Sequence, residues 1–367
     1  MREQGKFGVA EAVVLLTMSL MARIFLTFPR YILEVAGTAA WLSALAGLIF
    51  ALLQVYIFTL ILKPHPDKNI MDVTEEALGR AAGTAANVIY ALYFVIVAAF
   101  FMRPFTEALL ISTLPRTPIS VVTTGFIITS ILGAYVGLEA MARSARITYP
   151  FVLGGTVVLL LGVSPQWEVT NIFPILGTGP REVFFRGGFT TGTAVEILLA
   201  AVIVQSFHGP AFFWRVLSRA MLMGFLYLAL LELVMVMTVT WNVAVEYSLP
   251  LYNLSRLIYL SRFFQRIESI FVIIWGFIGM VKVSLTLYAA AAVLARTLRL
   301  PDYRPLTWPL AMIIFVVSLL PPDMPTAMRL ESEFIRTYIA WVPTMALPAI
   351  VLAADRFRTG GRKNEAD

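Results

Sequence analysis

No Asp, Glu, Lys or Arg stands between Glu34 and Lys63, and the residues between them are almost all apolar. A run of that length crosses the hydrocarbon core of a bilayer as a helix, because about 20 residues rising 1.5 Å each cover roughly 30 Å. A membrane strand needs only about 9–11 residues that alternate in polarity, and this run does not alternate. Comparable runs recur to the end of the chain. Ten candidate spans lie near 8–30, 38–62, 82–112, 118–138, 146–163, 193–215, 219–241, 268–296, 308–321 and 336–354. Of the 367 residues 59% are hydrophobic and 14% charged, where a soluble domain carries about 25% charged residues. The expected fold class is an all-α integral membrane protein, one transmembrane domain over 1–367.

The first span follows MREQGK, outlasts a signal-peptide core and has no small-residue cleavage site, so it reads as a retained helix. An even number of spans puts both termini on one side. Sixteen of the 28 Lys and Arg fall with the termini, nine fall on the other side, and Arg23, Arg103 and Lys282 sit inside spans. The positive-inside rule then makes the terminal side cytoplasmic. On the outer side, 164–192 is dense in Gly and Pro and is expected to hold no regular element. The connection 242–267 has apolar residues at helical spacing with arginines between them, the pattern of a helix lying at the interface. On the inner side, 63–81 carries Glu75 and Glu76 on a short amphipathic turn.

Spans one to five (about 8–163) and six to ten (about 193–354) form two halves, followed by a tail at 355–367. Each half has an odd number of helices, so a tandem repeat enters the membrane in opposite orientations, the condition for an inverted repeat. The sixth span contains EILLAAVIVQSFHGPAFFWR (196–215), interrupted by Gln205, Ser206, Phe207, His208, Gly209 and Pro210. Proline lacks the N–H that closes a helical turn and glycine is a poor helix former, so the backbone is expected to open there. Opened backbone in hydrocarbon survives only where protein buries it or it lines a cavity. Discontinuous helices of this kind build small-ligand sites in transporter folds. The counterpart in span one is Ser19, Leu20, Met21, Ala22 and Arg23, a weaker break without proline.

Several buried polar residues bear on chemistry. A central Arg costs about 2.5–3.5 kcal/mol on insertion scales, so Arg23 needs a partner; a ligand carboxylate, the place of a coupling cation and pairing with Glu232 all stay open. Lys282, mid-way along span eight, is either a fixed cation donating to the opened carbonyls of helix one or a lysine facing a watery crevice. Glu232 in span seven is an ion-pair partner or a proton carrier. Arg103 and Glu107 stand four apart on one helix face and read as a local ion pair. His208, beside the expected break, is a candidate proton sensor or ligand contact, with a merely hydrogen-bonded histidine as the competing reading. Tyr93, Trp275 and Gly276 are candidates for the cavity wall, with packing as the competing reading.

The chain contains no HExxH, GxSxG or Walker-type loop and no cysteine. With two histidines, no metal centre, cofactor or catalytic activity is expected. Its basic loops are too short and scattered for nucleic acid.

The segments TLPRTPISVV (113–122), GLEAMARSARITYPF (137–151), NIFPILGTG (171–179), FQRIESIFVIIW (264–275) and SLLPPDMP (318–325) resemble the spore germination protein family. More closely, they are similar to the B-type membrane subunit of germinant receptors, a branch of the amino acid, polyamine and organocation transporter superfamily. The resemblance implies ten helices in a five-plus-five inverted repeat of LeuT type, with helices one and six discontinuous. It implies a pocket between those helices and helices three and eight, drawing on Ser19 to Arg23, Tyr93, Gln205 to His208, and Gly276 to Lys282. It also implies residence in the spore inner membrane, A-type and C-type partner subunits, and the sensing of a nutrient germinant, typically an amino acid; an amino-acid or organocation transporter is the alternative. Two positions depart from the family: a charged Arg23 stands in the helix-one break, and Lys282 occupies a place that is often small or hydroxylic. Both favour a carboxylate-bearing ligand or a cation-independent mechanism.

Overall fold

Span one leaves the terminal side of the bundle as α1 (Val9–Met21), tightens into a 3₁₀ turn at Ala22–Phe25, and resumes as α2 (Phe28–Ala36). The computed structural model describes residues 6–26, 28–258 and 267–364. Gly37, at φ +58°, reverses the chain, a left-handed conformation that glycine adopts without a Cβ penalty. The returning α3 (Ala40–Leu62) leads into the short helix α4 (Ile70–Leu78), capped by the Asn69 side chain, which accepts from the backbone N–H groups of Met71 and Asp72. Three long passes follow as α5 (Arg80–Ser112), α6 (Ile119–Val136) and α7 (Leu138–Val163).

The sixth pass differs from its sequence reading. The Gly-Pro-rich stretch expected to be irregular contains a π-helical segment at Arg181–Gly187 that runs into α8 (Gly188–Gly192). Thr193 (φ −70°, ψ 116°) and Ala194 (φ −129°, ψ 108°) are extended, and α9 (Val195–Val202) with a 3₁₀ turn at Val204–Phe207 completes the crossing. The break in span six therefore lies at Thr193 and Ala194. Gln205 to Pro210 form the turn that follows: Gly209 takes φ +86°, and Pro210 opens the turn into α10 (Phe213–Thr238), where its missing N–H costs nothing.

On the far side lie α11 (Trp241–Glu246) and α12 (Pro250–Arg256), in the connection expected to hold an interfacial helix; part of that expectation, 259–266, lies outside the described residues. The chain re-enters as α13 (Ile267–Thr297) and α14 (Arg304–Ser318). The last pass runs through α15 (Met324–Arg329), π-helical stretches at Leu330–Ile339 and Val342–Ala346, and α16 (Leu347–Asn364). It begins well before the expected residue 336.

Hydrogen bonds fix the directions. Phe7 N donates to Ser206 O, and the Gln205 amide donates to Pro66 O and Lys68 O, so the start of α1, the end of α3 and the end of span six share the terminal side. Thr38 donates to Pro174 O and Thr178 to Val35 O at the other end. Span six thus runs opposite to span one, and among the described residues ten passes form a five-plus-five inverted repeat. Among the described residues seven helical stretches are long and apolar enough to cross a membrane by length and composition, with Arg304–Ser318 a shorter apolar one; the broken sixth span falls short because neither half is long enough alone.

α13 is the most enclosed of these, with Ala289 to Val293 fully buried. Lipid tails are as apolar as leucine, so close packing and polar contacts rather than hydrophobic burial hold such helices together. Small residues permit the approach: Gly279 of α13 lies under the Phe105 ring, and Gly133 of α6 lies against Ser284. The outer faces present Ile49, Leu132, Ile147, Phe151 and Leu161, an apolar belt that suits lipid and would aggregate in water.

Candidate functional site

A helix that stops inside a bundle leaves carbonyls without their i+4 N–H partners, and burial requires other donors. At the span-six break these come from side chains remote in sequence. Arg23 Nη1 donates to Thr191 O at 3.0 Å and to Thr193 O at 3.2 Å, and Gln54 Nε2 donates to Gly192 O at 3.0 Å. At the span-one break Lys282 Nζ donates to Ser19 O at 3.1 Å. Each broken helix thus ends, at the negative pole of its dipole, on a fixed cation.

The same lysine pairs with Glu196 at the start of α9, Nζ to Oε1 2.7 Å, and the Ser19 hydroxyl donates to that oxygen at 2.8 Å. Lys282 and Glu196 are 5% and 1% exposed. Arg23, 4% exposed, has aromatic rings on two sides, with its guanidinium 5.0 Å from the Phe28 ring centroid and 5.1 Å from that of Phe225, a favourable placement for a desolvated cation. Among the described residues its Nη2 has no hydrogen-bond partner.

Between the breaks is a cavity of about 30 Å³ lined by Arg23, Tyr93, Glu196, Lys282, Glu331 and Arg336 among others, room for about one or two water molecules. The last two residues come from the π-helical part of the tenth pass. Their i,i+5 spacing puts them on one face of that wider helix, and Arg336 Nε donates to Glu331 Oε1 at 3.0 Å. Arg336 also lies 4.8 Å from the centroid of the Phe28 ring, so the tenth pass closes over span one through the ring that Arg23 uses.

Of the residues singled out from sequence, the structure brings Ser19, Arg23, Tyr93 and Lys282 together. Leu20, Met21 and Ala22 are buried in the same turn but pack into the bundle, with Leu20 over Gly224. Gln205, Ser206, Phe207 and His208 are elsewhere: twelve or more residues of helix, roughly 18 Å at 1.5 Å each, separate them from the break at Thr193. His208 is exposed in a left-handed turn at φ 70°, and Phe207 is core. Gly276 faces open space and Trp275 packs against Phe105, with centroids 5.0 Å apart; neither lines the cavity. Arg103 and Glu107 form the expected i,i+4 pair at 3.1 Å, outside the cavity, and Arg103 also donates to Pro322 O at 2.9 Å.

Glu232 is not the partner of Arg23. It is 1% exposed and, among the described residues, neither carboxylate oxygen has a partner. Glu196 and Glu331 are the acids of the site, and the signal for Glu196 was in the sequence: a charge heading an apolar run has the same cost as Arg23. Arg336, counted among the outer-side cations, is a cavity residue.

A solute reaching this cavity would meet guanidinium, ammonium and carboxylate groups with helix ends around them. Residues 6–326 match the family described as Spore germination protein. The chain belongs to that family. It is 24% identical to spore germination protein KB of Bacillus subtilis (strain 168) over 86% of this chain and 85% of that one. It is 23% identical to spore germination protein YndE of the same organism over 98% of both, and 30% identical to its spore germination protein A2 over 47% of this chain and 48% of the other. In fold it is similar to MHP1, a nucleobase-cation-symport-1 family transporter in a closed conformation with bromovinylhydantoin bound, at a TM-score of 0.70 and 11% identity over 96% of this chain and 80% of that one. A Na⁺-coupled sialic acid symporter in an outward-open state gives 0.67 and 11% over 95% and 79%. The fold is that of the LeuT-type transporters, and the protein is an integral membrane protein.

Proposed function

We propose that this protein is the B-type membrane subunit of a spore germinant receptor. It binds a small nutrient, an amino acid or similar carboxylate-bearing solute, at the two helix breaks, and passes a change of packing to A-type and C-type partner subunits. On this reading it resides in the spore inner membrane as one transmembrane domain with both termini on the cytoplasmic side, which the excess of Lys and Arg on the terminal side supports.

The observation that carries the proposal is Arg23, a cavity residue that fastens the span-six break with one guanidinium nitrogen while the other has no partner among the described residues. A carboxylate on Nη2 competes with the Thr191 and Thr193 carbonyls for the same group. Binding then changes how firmly α8 and α9 are held to span one, and a ligand shifts a two-state packing only through such differential contact. The cavity is too small for a whole amino acid as it stands, so entry requires the Arg336 to Phe28 closure to part.

The test is germination dose-response together with thermal stabilisation of the purified protein by an amino-acid panel. Arg23→Lys is expected to raise the germinant concentration needed, and an unchanged dose-response refutes the assignment. The second reading, a secondary transporter, has support from the likeness to two symporters. Saturable, Arg23-dependent uptake of labelled amino acid into proteoliposomes would favour it over a pure sensor.

A further inference from the structure

Three cations and two carboxylates border the cavity: Arg23, Lys282 and Arg336 against Glu196 and Glu331. The two acids are already engaged. Glu196 takes Lys282 and Ser19, and Glu331 takes Arg336 and the Ser332 hydroxyl. Arg23 remains, and among the described residues no carboxylate pairs with it. Four carbonyls at the two breaks are engaged as well, Ser19 O by Lys282, Thr191 O and Thr193 O by Arg23, and Gly192 O by Gln54. What the site leaves open is a donor on a cation that is 4% exposed.

We infer that the cavity recognises its ligand by the carboxylate alone, and that neither an α-ammonium group nor a free Na⁺ contributes to binding. This rests on the germinant-site reading above and deepens it. An ammonium group or a sodium ion needs an acidic oxygen or an unshared carbonyl, and the two acids and four carbonyls named here are already held by Lys282, Arg23, Arg336, Gln54 and two serine hydroxyls. A carboxylate needs a charge-assisted donor, and Arg23 Nη2 is one. Entry of an anion brings the five charges to balance, whereas entry of a cation adds a second unmatched positive charge in a site of low dielectric. The ligand class is therefore small carboxylates in which the amino group is dispensable.

The experiment uses the full-length purified protein and matched triplets on three skeletons: alanine, propionate and alaninamide; leucine, 4-methylpentanoate and leucinamide; phenylalanine, 3-phenylpropionate and phenylalaninamide. Thermal stabilisation is titrated in sodium chloride and again in choline chloride. For the skeleton that fits, the amino acid and its deaminated acid are expected to give midpoints within about tenfold of each other. The amide is expected to give no shift, and replacing sodium by choline is expected to change neither midpoint. Arg23→Lys keeps the charge and loses the forked donor, which is expected to raise both midpoints by about tenfold to a hundredfold. Should that variant be unstable, the triplets on the unaltered protein decide the matter alone. Stabilisation by the amide, or by the amino acid only in sodium, overturns the inference while leaving the pocket in place. Stabilisation that Arg23→Lys does not weaken also overturns it, because the solute is then held elsewhere. No shift with any member overturns the pocket reading and the inference with it.

Discussion

Replacing Lys282 by methionine removes an ammonium group 2.7 Å from Glu196 Oε1 in a region where neither residue is more than 5% exposed. At that distance the attraction is about 6 kcal/mol for an effective dielectric of about 20. Desolvating the two ions costs several kcal/mol each, so the pair comes close to breaking even against an apolar replacement of both. Losing one partner is different, because Glu196 then stays buried without its counter-charge and Ser19 O loses its donor. The expected cost of Lys282→Met is about 3–5 kcal/mol. Adding Glu196→Gln removes the stranded charge and is expected to recover a substantial part, so the cycle gives a coupling of about 2–3 kcal/mol. The assay is reversible unfolding of the four proteins in one lipid–detergent mixture. A single Lys282→Met effect below about 1 kcal/mol, or a double variant less stable than the single one, would refute the reasoning.

Three further outcomes are expected. His208 is exposed at φ 70°, so His208→Gly should stabilise by about 1 kcal/mol and leave the ligand titration unchanged; a changed titration would return the span-six turn to the site. Glu232 is buried with no partner for either oxygen, which suits a neutral acid, so Glu232→Gln should alter unfolding stability by less than about 1 kcal/mol, and a loss above that would indicate a charged, paired carboxylate. The Lys68 ammonium donating to Glu76 holds that carboxyl below its ordinary 4.5; a lowered folded value gives stabilisation that is present above pH 4.5 and lost as pH falls further. Protection of the α4 amides from hydrogen exchange, taken relative to the intrinsic exchange rate at each pH, should therefore be steady near neutral pH and fall below that point, and Glu76→Gln should show the lower protection already at neutral pH.

The sequence exposed the cost of its buried charges more reliably than their partners. Arg23 and Lys282 stand in apolar surroundings that cannot tolerate an unpartnered cation, and that argument required donation to something; for Lys282 the carbonyl end of helix one was the partner. Pairing Arg23 with Glu232 failed because the bundle offered it carbonyls instead. The position of the span-six break was illegible for a definite reason. Gly209 and Pro210 are the strongest local interruption, but they lie where a helix begins, whereas Gly192, Thr193 and Ala194 have no intrinsic bias strong enough to mark a break. Their backbone opens because Arg23 and Gln54, more than a hundred residues earlier, satisfy its carbonyls. Gly192 also lies close to Gly47 and Phe50 of α3, a contact that neither segment announces by itself. Arg336 was hidden similarly: LESEFIRT is too polar to read as membrane-embedded, and the π-helical winding that turns Arg336 and Glu331 to one face is not a periodicity sought in a sequence.

The Lys282 ammonium and the Arg23 guanidinium have a consequence for when the protein can work. Because these clasps are tethered to the chain, their local concentration is set by its covalent connectivity and not by what is dissolved on either side of the membrane. A joint fastened this way keeps its geometry through dilution or the collapse of an ion gradient.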